Sequence, residues 1–111
     1  MSVDVGWMAV RTVIGTPWQE DGTRAYEERI TVWQVDTFEE AIGRARDEAN
    51  SYAKQWDPAA DVLDLQQVVR IFDQPADGTE VFSLVRDSAL RPAEYLNRYF
   101  DSGQERIQSA E

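Results

Sequence analysis

The chain contains no histidine and no cysteine. Without histidine, the commonest general base and the usual neutral metal ligand are both missing, and a Ser-His-Asp triad cannot be assembled. Without cysteine there is no disulfide, no thiolate nucleophile and no thiolate metal site. Lysine is almost absent as well: Lys54 stands alone beside ten arginines. A Ser-Lys dyad would have to use that one residue, which helical spacing places away from the apolar stripe of its segment. No run approaches the roughly 18 consecutive apolar residues of a membrane span, and no glycine-rich phosphate loop occurs. The opening MSVDVGWMAV has neither the basic n-region nor the apolar core of a signal peptide. These absences lead to the expectation of a cytoplasmic, non-enzymatic protein with no cofactor and no metal.

What is present describes a packed domain. Of 111 residues 42% are hydrophobic and 11% aromatic, too many for a disordered chain and enough for one core spanning residues 1–111. The balance of 21 acidic against 11 basic side chains gives a formal charge of −10. Duplex nucleic acid and anionic lipid are repelled by such a surface, because binding there rests on phosphate neutralisation. The expected partner is a protein, either a second copy in a homo-oligomer or an unidentified target, with no nucleic acid and no membrane.

The carboxylates do not assemble into a motif. In DQPADGTEVFSL, Asp73, Asp77 and Gly78 fall at the first, fifth and sixth places of a calcium loop. Pro75 occupies the third place and Leu84 the twelfth, where a bidentate Glu is needed, so a hairpin turn explains the segment better. Glu27 and Glu28 are neighbours on a strand and point to opposite faces. Asp57, Asp61 and Asp64 read as a solvated loop.

Periodicity orders the elements as β-β-α-β-β-α. A first strand over Trp7 to Ile14 and a second over Tyr26 to Val35 flank the turn sequence GTPWQEDGT. Thr37 with Glu40 three residues on is a capping box, and Glu39 and Glu40 suit the positive end of a helix dipole. Phe38, Ala41, Ile42, Ala45, Ala49, Tyr52, Ala53 and Trp56 recur at helical spacing on one stripe, whose four alanines permit close approach to a sheet. WDPAAD ends that helix. VLDLQQVVRIFDQ is expected as a third strand, PADG as a turn and TEVFSLVRD as a fourth strand. Pro92 suits the first turn of a second helix, on which Leu96 with Phe100 and Tyr95 with Tyr99 are i,i+4 pairs. Residues 101–111 form a frayed tail. The triplet DGT occurs at 21–23 and again at 77–79, an echo that leaves a duplicated half-domain open. The fold class is α+β: a four-stranded antiparallel sheet with two helices on one face.

Strand side chains alternate between faces, so each strand sorts into two sets. One set is aliphatic: Met8, Val10 and Ile14; Ile30 and Val32; Leu63, Leu65, Val69 and Ile71; Val81 and Val85. It is expected beneath the helices. The other set combines arginine with aromatic residues: Trp7 and Arg11; Arg29, Trp33 and Val35; Arg70 and Phe72; Phe82, Leu84 and Arg86. Three readings of that second face stay open. It is a solvated face whose arginines pair with Glu27 and Glu80 across strands. It is a contact surface, since Trp, Phe and Arg are enriched where binding energy concentrates; the occupant is then a second copy, or a basic target engaged by a small acidic partner protein of the immunity type. Or it binds a small anionic or aromatic ligand. The candidate binding residues are Trp7, Arg11, Arg29, Trp33, Arg70, Phe72, Phe82 and Arg86.

The segment YEERITVWQVDTFEEAIGRARDEA at 26–49, preceded by WMAVRTVI and followed by GTEVFS, resembles a small bacterial family of unknown function. Members of that family carry a Y-E-E-R-I strand followed by an F-E-E-A-I helix. The resemblance implies the same fold and brings no catalytic residue, cofactor or substrate.

Overall fold

The computed structural model describes residues 6–107. Strand β1 (Trp7–Gly15) turns into β2 (Tyr26–Gln34), followed by helix α1 (Phe38–Trp56), the two-residue strand β3 (Asp61–Val62), β4 (Gln67–Ile71) and α2 (Pro92–Tyr95). α2 runs on without a break into a five-residue π-helical turn, Leu96–Phe100. The chain is an α+β domain with a four-stranded antiparallel sheet and two helical segments, in the order β-β-α-β-β-α.

β1 is the centre of the sheet because both of its edges are used. β2 pairs along one edge from Trp7↔Gln34 to Gly15↔Tyr26. The other edge is shared by β4, from Trp7↔Ile71 to Arg11↔Gln67, and by β3 at Ile14↔Val62 and Gly15↔Asp61. β3 and β4 are two pieces of one strand, interrupted at 63–66, where the register advances by two residues. An excursion of two preserves side-chain parity, so Val62 and Val68 return to the same face. Leu65 at its crest is exposed. The uninterrupted third strand expected from the sequence is therefore split.

TEVFSLVRD, expected as the fourth strand, stays outside the sheet; all four strands lie before residue 72. The turn that precedes it closes on itself. Thr79 N donates to Ala76 O at 3.1 Å and Ala76 N donates to Thr79 Oγ1 at 2.9 Å, with Gly78 at φ +83°. No hairpin ladder back along β4 follows from it. Both DGT triplets thus form tight turns with a left-handed glycine, yet only the first joins paired strands.

α1 is set by its cap and its stripe. Thr37 Oγ1 accepts from Glu40 N at 3.1 Å, and Glu40 Oε1 accepts from Asp36 N at 3.4 Å, one residue earlier than the amide a capping box normally reaches. Asp57, in extended conformation before Pro58, ends the helix. Ala41 and Ala45 pack on Met8, Val10 and Val35, while Ala49 and Ala53 pack on Ile14 and Ala60. With nothing beyond Cβ on this stripe the helix lies close over β1. The inner side of β2 consequently meets the flank of α1, where Arg44, Glu48 and Tyr52 project.

The second helix differs in placement from expectation. Pro92 occupies its first turn and the Tyr95–Tyr99 pair forms, with ring centroids 5.0 Å apart. However, neither α2 nor the turn beyond it touches the sheet or α1, so α1 alone covers one face. Residues 101–107 of the expected tail have no regular structure; 108–111, and 1–5 of the opening segment, lie outside the described residues. Among the described residues no helix is long and apolar enough to cross a membrane.

Candidate functional site

Register decides which side chains share a face, because directly opposed residues of an antiparallel pair project together. Met8 stands opposite Trp33, Val10 opposite Thr31, Thr12 opposite Arg29 and Ile14 opposite Glu27. Even residues of β1 therefore join odd residues of β2 beneath α1. Across the other edge, Val10 opposes Val68 and Met8 opposes Arg70. The expected faces are thus mixed between strands. Ile30 and Val32 do not join Met8, Val10 and Ile14; they lie on the helix-free face with Trp7, Ala9, Arg11 and Val13, as do Val69 and Ile71. Arg29, Trp33 and Arg70, expected on the helix-free face, sit on the helix side.

There Arg29 and Trp33 form a polar seam between β2 and α1, while Arg70 lies across β1 on β4. Arg29 donates from Nη1 and Nη2 to the two carboxylate oxygens of Glu48, both at 2.9 Å, and its guanidinium stacks 3.8 Å from the Tyr52 ring. Tyr52 Oη lies 2.8 and 2.9 Å from the two carboxylate oxygens of Glu27. The Glu48 carboxylate holds Arg29 protonated above its already high ordinary range, against the opposing pull of burial. The hydrogen bond to Glu27, aided by burial, pushes the Tyr52 hydroxyl above its usual range. Trp33 Nε1 donates to Thr31 Oγ1 at 2.7 Å under the Arg44 guanidinium, and Arg70 lies 5.5 Å from the Phe38 ring. Arg29, Trp33 and Tyr52 are each satisfied within the fold, which is the pattern of a structural seam, while Arg70 is exposed.

The helix-free face holds Trp7 and Arg11, with Phe82 beside Arg11. Arg11 pairs with Glu28, donates to Gln67 Oε1 at 3.2 Å and lies 6.0 Å from the Phe82 ring. Arg11 and Phe82 are thus brought together as expected, with half-buried Trp7 on the same face. Beside Arg11 an open groove of about 300 Å³ is lined by Val13, Glu28, Leu63, Leu65 and Gln67. Coverage of this face is uneven. Ala9 and, at the end of β4, Ile71 are buried, while Ile30 and Val32 on β2 are 46% and 38% exposed. Phe72, just beyond β4, is 89% exposed. Arg86 packs within its own segment, 4.4 Å from the Tyr99 ring and 3.3 Å from Tyr95 Oη.

One cluster had no sequence signal beyond the closeness of Trp18, Arg24 and Tyr26. The Arg24 guanidinium lies 5.2 Å from the Trp18 ring and 5.1 Å from the Tyr26 ring and pairs with Asp61 at 2.6 Å. It occupies the space that a Cβ on Gly15 would need, so glycine at the end of β1 makes room for arginine. Asp64 pairs with Arg46 at 3.4 Å and Asp57 Oδ1 accepts from Ala59 N, so the three loop aspartates turn to separate partners. No protein-family model, curated protein or solved structure matches the chain.

Proposed function

We propose that the chain is a non-enzymatic protein-interaction module that works through the helix-free face of its sheet. The observation that carries this reading is the pair Ile30 and Val32. Both are aliphatic and exposed in the middle of a nine-residue strand, and the seam on the opposite side of the same strand is closed. Contiguous exposed apolar surface of this kind marks contact with a partner. Trp7 and Phe82 extend it with the residue types that dominate interface energetics. A small anion would depend on Arg11 on this face, and that guanidinium already pairs with Glu28 and Gln67, so the geometry favours a protein surface over a ligand site.

A photo-crosslinking residue placed at position 30 tests this in cells, with exposed Asp47 on α1 as the control position. A protein adduct formed from position 30 and not from position 47 is expected. No adduct from position 30, or equal adducts from both, contradicts the reading.

A further inference from the structure

The C-terminal segment has the makings of a strand-and-helix unit without a sheet. Residues 83–89, SLVRDSA, are exposed at every position, and Val85 is 88% exposed. Val85 favours strand geometry, yet among the described residues 80–90 enter no backbone–backbone hydrogen bond. The following helix is held to this stretch through Arg86 on Tyr95 and Tyr99. It leaves Leu96 and Phe100 exposed, at 50% and 76%. Among the described residues the outer edge of β2 is also unpaired, since β2 pairs there with β1 alone. A nine-residue edge without a partner and a strand-like segment without an edge are complementary, which is the basis of strand addition.

Size and charge point to a second copy as the source of the missing partner. The accessible surface is 8805 Å², where a compact chain of this mass exposes about 6,200 Å². The radius of gyration is 16.6 Å, against about 13 Å for a compact domain of this length. The excess, roughly 2,600 Å², is larger than the ~800 Å² that each partner contributes to a standard interface. Residues 83–107 carry four arginines and four carboxylates, so this segment is neutral in a chain of formal charge −10. A neutral arm meets an acidic body without the repulsion that two acidic bodies would exert on each other.

We propose that residues 83–100 are an exchange arm. Its strand-like stretch adds to the free edge of β2 of a second copy, and its helix lays Leu96 and Phe100 over that copy's Ile30 and Val32, reciprocally in a two-fold dimer. This rests on the helix-free face being a contact surface and names its occupant.

Sedimentation equilibrium of the full chain tests it with two variants. Val85→Pro removes a backbone donor that makes no backbone hydrogen bond in the isolated copy, so the fold stays intact while strand addition is lost. Ile30→Asp with Val32→Asp spoils the receiving face. Wild type is expected at twice the 12.7 kDa chain mass, and each variant at the single-chain mass with an unchanged far-UV spectrum. An equimolar mixture of the two variants is expected to regain association, because one intact arm then meets one intact face. Wild type at single-chain mass into the hundreds of micromolar, undiminished association of Val85→Pro, or a mixture that stays monomeric each overturns the arm. If the wild type is monomeric while position 30 crosslinks to a different protein, the arm falls and the contact surface stands. If position 30 gives no adduct and its charged variant associates as the wild type does, both fall.

Discussion

Arg29 and Glu48 join β2 to α1 through two 2.9 Å hydrogen bonds, with the Arg29 guanidinium 3.8 Å from the centre of the Tyr52 ring. The pair sits where the alanine stripe of α1 has passed over β1 and its flank comes down on β2. Aliphatic side chains alone would leave the flank carboxylate unpaired there; a bidentate arginine closes the seam.

Arg29→Ala should therefore destabilise the chain by about 2 kcal/mol. That lies between the ~0.2–1 kcal/mol of an exposed pair and the ~3–5 kcal/mol of breaking a fully buried one. Denaturant unfolding of Arg29→Ala, Glu48→Ala and the double variant measures it. A coupling energy of at least about 0.5 kcal/mol is expected; additive losses would mean that the two side chains stabilise independently.

The hydroxyl of Thr12 offers a gain. Thr12 is 1% exposed on the helix side of β1, and its Oγ1 has no hydrogen-bond partner. Thr12→Val keeps the shape and removes an unsatisfied group, so stability should rise by about 1 kcal/mol. A chemical-denaturation midpoint that falls would show that the hydroxyl is satisfied in solution.

How much of this is legible in the sequence depends on how local each feature is. The cap at Thr37, the alanine stripe and the glycine turns are written in a few adjacent residues, and all appear. Faces are a different matter, because parity within a strand says nothing about parity between strands. That is fixed by the register Gly15↔Tyr26 across the ten-residue connection 16–25, and a shift of one would invert β2. Apolar content pointed the wrong way at Ile30 and Val32. An edge strand's inner side can lie under the polar flank of a helix, where Arg29 and Trp33 serve better than aliphatic residues. TEVFSLVRD carries the alternation of a strand, but pattern makes a strand only when an edge is within reach. Arg24 was hidden for a similar reason: its partner Asp61 is 37 residues away.

Tyr52 gives the seam a pH dependence. Its hydroxyl titrates above the ordinary tyrosine value because the Glu27 hydrogen bond holds the proton, with burial assisting. A group whose folded pKa is raised contributes stability that is complete below the unfolded value, about 10. That contribution is lost as pH rises through the folded pKa. Tyr52→Phe should accordingly cost about 1 kcal/mol near pH 8, and the gap to wild type should close at pH above the ordinary tyrosine value. A gap that is constant across that range, or that widens, would contradict the assignment.

The central claim is that the second face of β2 is covered in solution, and the absence of native cysteine makes it directly measurable. Ile30→Cys introduces a single thiol on that face, and its reaction rate with an aromatic disulfide reagent is followed against protein concentration. Protection that grows with concentration, to at least tenfold below the rate in the dilute limit, is the predicted result. A rate that stays at the dilute value at every concentration would contradict a face closed by a second copy.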